Sequence, residues 1–483
     1  MMQSLFLLLT FLSVAATAQQ SKNRSVADMQ DKAAEALQAD YGVYKKMALQ
    51  IWEYAEVGYK EVKSAALLQK SLQENGFAIE KEVAGIPTAF VATYGSGSPV
   101  IGILAEYDAL PGLSQKATPQ KEAITGKEAG HGCGHHLFGT AAVAAAMEVK
   151  KLLESGALKG TVKLYGTPAE EGGSGKVYMV REGLFTGVDV VLHWHPGADN
   201  GITVTKALAN TSAKFRFNGV SAHASAAPER GRSALDAVEA MNYMVNLMRE
   251  HMPSDARIHY VITNGGKAPN VVPDFAEVYY YVRHPDRDAV RQLFARVVKA
   301  ATGAATGTET KMSYEIIGGT YDLLINKTLA AVMQKNLEKV GGVPYTLAET
   351  AFARELQKSF DFTVPAPAAA AAVTPLRQTE NSGGGSTDVG DVSWNVPTVG
   401  LRAATWVPGT PAHSWQAVAC GGTEIGIKGM MVAAKTLART AIDLFTDARL
   451  IQKAKEELAA SRGASFLYKP LLGDRAPALN YRD

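Results

Sequence analysis

Short apolar runs that end in polar residues alternate with segments of helical periodicity in the first part of the chain. Between residues 27 and 74 apolar side chains recur at helical spacing, as Met47, Ile51 and Tyr54 do. An alanine-rich helical segment lies around residue 140, and strand-like runs occur at residues 88–94, 100–104, 162–165 and 190–192. This alternation predicts an α/β domain with a largely parallel sheet.

The pattern changes near Thr211 and returns to α/β alternation at residues 323–340. Between these points the sequence predicts, in order, a strand at 213–217, a helix at 233–249, strands at 257–262 and 276–282, a helix at 286–301 and a strand at 311–317. The order β-α-β-β-α-β is typical of a small α+β sandwich. We therefore predict a second domain that is inserted into the first.

The last part of the chain adds a loop, two helices and a tail. Residues 362–386 contain Pro365, Pro367, an alanine run and a glycine-rich stretch, which together predict a loop. Residues 423–444 predict a long buried helix. After Asp447 the sequence predicts a charged helix that leads into a polar tail.

Composition narrows the possible classes of function. At 483 residues the chain exceeds the usual size of a single core, so two domains are expected. A net charge of +2, with 20% charged residues, leaves no basic stripe. Nucleic acid is therefore disfavoured as a partner.

The first 18 residues predict export. The apolar run from Leu5 to Val14 is too short to span a bilayer, and Ala16-Thr17-Ala18 has the small residues of a cleavage signal. A basic residue near the start, usual in signal peptides, is missing. We expect residues 1–18 to be a signal peptide and the mature protein to be periplasmic or secreted. We expect no membrane-spanning segment elsewhere.

The run His131-Gly132-Cys133-Gly134-His135-His136 carries the strongest chemical signal. It places a thiol and three imidazoles among glycines, directly ahead of the alanine-rich helix. Imidazole and thiolate bind transition metals well, and glycines let the backbone turn tightly so that several ligands converge. The run therefore predicts a metal site.

Three further segments offer ligands close to apolar runs: Glu170-Glu171, His193-Trp194-His195 and His413. A single histidine more often caps a turn. Four polar clusters together, however, favour a metal site at the carboxyl edge of an α/β sheet. Cys133 and Cys420 do not make a disulfide framework; although they could pair in an oxidising compartment, we expect a metal-bound thiolate at Cys133 and a buried side chain at Cys420.

These motifs occur in the order found in a known family. Together with residues 219–225 (Gly-Val-Ser-Ala-His-Ala-Ser) and 266–274, they resemble those of the M20 metallopeptidases. Residues 105–110 (Ala-Glu-Tyr-Asp-Ala-Leu) and 386–394 are similar to the amidohydrolase branch that includes the B-type chain of aminobenzoyl-glutamate hydrolase. The resemblance extends from about Lys32 to the tail.

The resemblance implies a zinc-peptidase-like α/β catalytic domain at residues 19–210 and 321–483, the latter including the tail. It implies two divalent metal ions per chain, zinc or manganese, and an inserted lid at residues 211–320 that also forms a homodimer. Because Cys133-Gly134-His135 replaces the His-x-Asp motif of many related peptidases, it also implies small N-acyl or N-aroyl amino acids as substrates.

Each candidate residue has an expected role. The expected metal ligands are Cys133, His135, Glu171, His195 and His413, with His193 as the alternative to His195. We expect Glu170 to take the proton of the attacking water and deliver it to the leaving amine. The resemblance implies that the lid residue His223 acts across the dimer on the developing oxyanion, and that Asn270 binds this oxyanion or a substrate carboxylate.

Three more residues are expected to support the ligands. We expect Asp108 to orient His135, and His131 and His136 to fix the ligands through hydrogen bonds.

The predicted function is metal-dependent hydrolysis of the amide bond of N-acyl or N-aroyl amino acids. A metallo-dipeptidase or carboxypeptidase is an alternative with the same chemistry. A metal-binding subunit that needs a partner is an alternative of another class, because the B-type hydrolase chain that this sequence resembles works with a homologous A-type chain. The presence of Glu170 argues against an inactive protein.

Overall fold

The computed structural model describes residues 25–377, 381–382 and 384–482, so the predicted signal peptide lies outside the described residues. Residues 25–39 are helical. The helices that follow are α1 (Tyr41–Tyr54), α2 (Val62–Glu74), α3 (His135–Glu154), α4 (Glu170–Gly173), α5 (Gly175–Arg181), α6 (Ala234–Met248), α7 (Arg287–Gly307), α8 (Lys327–Val340), α9 (Leu347–Gln357), α10 (Val389–Ser393), α11 (Trp415–Gly421), α12 (Glu424–Thr446) and α13 (Ala448–Arg462). Among the described helices, none combines the length and the apolar composition that crossing a bilayer requires.

The strands belong to one large sheet, one smaller sheet and two short pairs. In chain order they are β1 (Ala78–Lys81), β2 (Phe90–Ser96), β3 (Val100–Ala105), β4 (Leu110–Pro111), β5 (Ala129–Gly130), β6 (Gly160–Gly166), β7 (Val190–Gly197), β8 (Gly201–Ile202), β9 (Thr205–Lys206), β10 (Ala209–Asn218), β11 (Arg257–Asn264), β12 (Phe275–His284), β13 (Lys311–Thr320), β14 (Asn381–Ser382) and β15 (Thr398–Ala404).

The large sheet has the strand order β1-β2-β6-β3-β7-β15-β8. Its four central strands, from β6 to β15, are parallel, whereas β1, β2 and β8 pair antiparallel. Helices α3 and α12 pack against each other and against central strands. Strands buried in this way have continuous apolar sequences, as Ile101 to Ala105 do after Val100. The predicted α/β class is confirmed, with a mixed sheet.

The smaller sheet is antiparallel, in the order β11-β12-β10-β13. Along β10, Ala213, Phe215 and Phe217 are fully buried while the residues between them are partly exposed. The buried face packs against α6 and α7, which also pack against each other. The observed order β10-α6-β11-β12-α7-β13 is the predicted β-α-β-β-α-β order.

The segment predicted as a loop lacks long elements in its described part. It contains a 3-10 turn at Pro367–Ala371 and the short strand β14, which pairs with β9. Residues 378–380 and 383 lie outside the described residues.

The C-terminal tail packs against the protein over most of its length. Leu471 belongs to the core of the smaller domain and Leu472 to the core of the larger one. The Tyr468 hydroxyl donates to Asp391 Oδ1 at 2.7 Å. Composition alone did not predict that the tail would join the two domains.

Candidate metal centre

Cys133 and His135 lie at the start of α3. Gly134 caps this helix with φ of 76°, a left-handed conformation that favours glycine. A Cβ atom at Gly134 would lie 2.7 Å from the Pro196 ring, so this position has no room for a side chain. The glycine therefore lets the thiol and the imidazole approach the end of β7.

His195 lies near the end of β7, with its Nε2 atom 3.3 Å from Cys133 Sγ. His193 lies two residues earlier and is buried. Its ring packs over Gly400 of the neighbouring strand β15. The structure therefore places His195, and not His193, beside the cysteine.

Glu170 and Glu171 occupy the short turn α4 directly after β6. The turn is distorted: Ala169 and Ser174, which flank it, have φ of 56° and 60°. Residues other than glycine adopt this left-handed region at a cost of about 1–3 kcal/mol each, and such residues cluster at functional sites. The sequence accepts this cost at the turn that presents both carboxylates.

His413 completes the cluster from the far end of the chain. It also has a left-handed φ, of 58°, and its backbone N–H donates to Gly132 O at 2.9 Å. Its Nε2 atom lies 3.2 Å from Glu171 Oε1, and 54% of its side chain is exposed. His413 therefore forms the solvent side of the site.

The five expected ligands form two triads that share the cysteine. One triad is Cys133, His135 and His195, and the other is Cys133, Glu171 and His413; the ligand atoms of each triad lie within 4.8 Å of one another. His135 Nε2 and Glu171 Oε1 are buried and make no hydrogen bond. A thiol, three imidazoles and a carboxylate suit zinc, and manganese also binds imidazole and carboxylate ligands. These residues fit two divalent ions with Cys133 common to both.

Asp108 holds two ligand segments together. Its Oδ1 atom lies 2.7 Å from His135 Nδ1, and its Oδ2 atom accepts a hydrogen bond from the Glu171 N–H at 2.9 Å. Burial acts to lower the pKa of His135, but Asp108, Cys133 and Glu106 together raise this pKa well above its usual value. The orientation of His135 expected from the sequence is therefore present, with the Nε2 atom directed away from Asp108.

Three buried charged residues beside the cluster were missed by sequence reasoning. Lys176, fully buried, lies 2.6 Å from Glu106 Oε1 and 2.7 Å from Asp388 Oδ1. Glu106 Oε2 lies 3.1 Å from His135 Nε2, and Glu106, His135 and Glu170 form a third close triad. Glu106 directly follows a buried strand, which was a usable signal. Lys176 lies in a glycine-rich turn and had none.

Glu170 lies where a proton acceptor is needed. Burial raises the pKa of its carboxyl well above the usual value, and the nearby carboxylates of Glu106 and Glu171 act in the same direction. For Glu171 burial acts to raise the pKa, but the neighbouring His413 lowers it. The two adjacent carboxyls thus have environments that separate their roles.

His131 and His136 do not hold the ligand side chains as expected. Their Nε2 atoms lie 3.1 Å from Ile51 O and 3.0 Å from Gly421 O, and their rings are 4.8 Å apart. Burial lowers the pKa of His131 to about 3, so its imidazole is neutral. These histidines anchor α1 and the end of α11 against the start of α3, which fixes the backbone rather than the ligands.

His223 and Asn270 lie exposed on the smaller domain. The backbone N–H of Ala224 donates to Asn270 O at 3.0 Å, so their loops pair with each other. His223 Nδ1 accepts a hydrogen bond from the Ala226 N–H at 3.2 Å. Within the described part of the chain no recorded contact joins either residue to the metal cluster. Their expected catalytic roles stay predictions.

Comparisons with known proteins agree with this geometry. Residues 102–441 match the model of peptidase family M20/M25/M40. The chain is 44% identical over 448 residues to the B-type chain of p-aminobenzoyl-glutamate hydrolase of Escherichia coli (strain K12), with 88% of this chain and 93% of that protein covered. It is 30% identical to the Xaa-Arg dipeptidase of Mus musculus, with 90% of this chain and 91% of that protein covered.

A solved structure shares the fold. A dinuclear metal-binding peptidase of the M20 family from Bacillus subtilis superposes with a TM-score of 0.56 at 17% identity, covering 84% of this chain and 99% of that one. The family match spans most of the chain, and the relatives are covered almost completely. The chain therefore belongs to peptidase family M20/M25/M40.

Proposed function

We propose that the protein hydrolyses the amide bond of N-acyl or N-aroyl amino acids with two divalent metal ions. The observation that carries the proposal is the pair of ligand triads that share Cys133, with Glu170 beside them. Two such ions, zinc or manganese, acidify a water molecule and polarise an amide carbonyl. The chain's own residues then position the reactants and move the proton.

Glu170 is the proposed proton carrier. Its raised pKa makes the carboxylate a competent acceptor of the water's proton and the resulting acid a competent donor to the leaving nitrogen. Glu171, directly next to it, is held by His413 and by the hydrogen bond of its N–H to Asp108. One turn of backbone thus supplies both a ligand and the proton carrier.

The substrate class follows from the relatives. The 44% identical relative is named as a hydrolase of p-aminobenzoyl-glutamate, an aroyl amino acid. The 30% identical relative is named as an Xaa-Arg dipeptidase, which supports dipeptides as the second candidate class. Both classes have a scissile amide whose leaving group is an amino acid.

We also propose that a second chain packs on the smaller domain. On α6, Tyr243 and Leu247 are 67% and 57% exposed, and on the edge strand β11 Val261 is 56% exposed. An apolar patch beside an open strand edge suits pairing with another sheet. The second chain is a copy of this one or a homologous chain, since the E. coli relative is named as one of two types of hydrolase chain. His223 then acts across this interface.

We propose export as well, supported by the apolar run and the cleavage triplet in residues 1–18. Fractionation of cells that produce the full chain, followed by determination of the mature N-terminus, tests this. An uncleaved chain in the cytoplasm would contradict it.

The activity is tested with the purified chain, loaded with Zn²⁺ or Mn²⁺ and assayed alone. The panel contains 4-aminobenzoyl-glutamate, N-benzoyl and N-acetyl amino acids, and dipeptides. We expect cleavage of the aroyl amino acids, and Glu170→Gln serves as the inactive control. Faster cleavage of dipeptides would select the second candidate, and activity that appears only with a homologous partner chain would select the hypothesis of a dependent subunit.

A further inference from the structure

The last described residues reach the metal centre. The tail follows a fixed path: Arg475 bonds Glu315 Oε1 of β13 at 3.1 Å, and Arg181 Nη1 donates to Arg475 O at 2.7 Å. Seven residues after Arg475, Arg482 donates a hydrogen bond through Nη2 to Glu171 O. The end of the tail is thus a built part of the site's wall.

Tyr481 and Arg482 share this carbonyl as acceptor. The Tyr481 hydroxyl donates to Glu171 O at 3.0 Å, and its ring packs edge-on against Tyr59 at 5.5 Å. The guanidinium of Arg482 lies over the Tyr481 ring at 4.7 Å. The aromatic ring therefore holds the cation beside the backbone of a metal ligand.

The guanidinium of Arg482 is incompletely used. Arginine offers five N–H donors, and Nε of Arg482 is buried without a hydrogen-bond partner. Among the residues that the structure describes, no carboxylate forms a salt bridge with it. An unpaired buried donor is costly, whereas an anion with two oxygens satisfies Nε and Nη together.

Other cations near the site are already neutralised by carboxylates. Lys176 is held between Glu106 and Asp388, and Arg402 pairs with Asp199 at 2.9 Å. Arg482 also lies close to the smaller domain, because its charge acts on the phenol of Tyr279 in β12. It therefore lies where the two domains meet beside the metal ligands.

We propose that Arg482 binds a carboxylate of the amino-acid part of the substrate and so determines the preference for N-acyl amino acids over their neutral analogues. This inference rests on the proposed function. The Nε–Nη edge of the guanidinium matches the two oxygens of a carboxylate. Arg482 is a specificity residue and takes no part in proton transfer.

The test uses three probes that differ in one charge each. They are 4-aminobenzoyl-glutamate and its two analogues in which the α- or the γ-carboxylate is a carboxamide. Arg482→Gln should reduce kcat/KM for the diacid about 10- to 100-fold, mainly through KM, as expected for the loss of a charged hydrogen bond. The analogue that lacks the recognised carboxylate should show no further loss.

Tyr481→Phe is the matched control, because it removes the other donor to the same carbonyl without changing charge. It should affect all three probes by the same small factor. Metal content, measured by elemental analysis, should stay unchanged in both variants. If Arg482→Gln lowers activity on all probes by one common factor, or loses metal, the residue supports the backbone only and the proposal is overturned.

A binding measurement separates this proposal from the proposed function. Metal-loaded Glu170→Gln, with and without Arg482→Gln, is titrated with the three probes by calorimetry. Weaker binding of the diacid alone in the double variant supports the role of Arg482 even if the wild-type chain cleaves none of the probes. Equal binding in both backgrounds overturns it even if the wild-type chain cleaves all of them.

Discussion

Replacing Lys176 by methionine tests the buried charge network beside the metal centre. Lys176 is fully buried and lies 2.6 Å from Glu106 and 2.7 Å from Asp388, whose side chains are also buried. Methionine preserves most of the volume but leaves both carboxylates without their cation. Asp388 retains one donor, the Lys176 backbone N–H at 2.9 Å.

The size of the loss follows from two opposing effects. Two unit charges about 4 Å apart attract by roughly 4 kcal/mol at an effective dielectric constant of about 20, so the two pairs contribute about 8 kcal/mol. Burying the lysine costs several kcal/mol of hydration. We therefore expect Lys176→Met to reduce the free energy of unfolding by about 3–5 kcal/mol, the range found when one partner of a buried pair is removed.

Lys151 provides the matched control. It also faces two carboxylates, Glu148 at 3.0 Å and Asp40 at 3.2 Å, but 47% of its side chain is exposed. Exposed pairs contribute little, so Lys151→Met should cost at most about 1 kcal/mol.

The assay is urea unfolding of the chelated protein, followed by the fluorescence of buried tryptophans such as Trp194. Adding Glu106→Gln to Lys176→Met should recover part of the loss, because one uncompensated charge is removed. Equal destabilisation by the two lysine substitutions would refute the reasoning.

Three further predictions concern proton transfer, metal binding and pH. Glu170→Gln should lose about two to four decades in kcat, the usual range for a general base, while elemental analysis finds its metal retained; loss of metal would reverse the roles of the two glutamates. Cys133→Ser should lower the content of both ions because the thiol belongs to both triads, whereas Cys420→Ser, buried elsewhere, should retain them. Burial raises the pKa of Asp391 from 3.8 to about 7, so this group stabilises the fold below pH 3.8 and loses that contribution as pH rises through 7. Asp391→Asn should therefore become more stable relative to wild type by about 2–3 kcal/mol between pH 5 and 8 in urea titrations, and a constant difference would contradict this.

Local pattern and residue chemistry were enough to predict the elements and the ligand segments. The alternation of Ala213, Phe215 and Phe217 predicts a strand with one buried face, which is how β10 packs. Cys133 and His135 predict a metal site because thiol and imidazole side chains bind metals in any fold. These properties depend on neighbours within a few residues, so a single sequence carries them.

Periodicity could not choose between the two histidines of β7. His193 and His195 are two residues apart, so they point to the same face of the strand. The choice is made by β15, since Gly400 accepts the ring of His193 while His195 reaches Cys133. Because β15 follows β7 by some 200 residues, this pairing is visible only in the tertiary structure.

The chain by itself determined which elements form, which residue types bind metal and which family motifs they resemble. The tertiary structure decided the mixed strand order, the burial of Lys176 between two carboxylates and the contact of Tyr481 and Arg482 with Glu171. The physical reason is distance along the chain. Contacts between residues separated by hundreds of positions arise from the packing of whole domains, and local propensity contains no information about them.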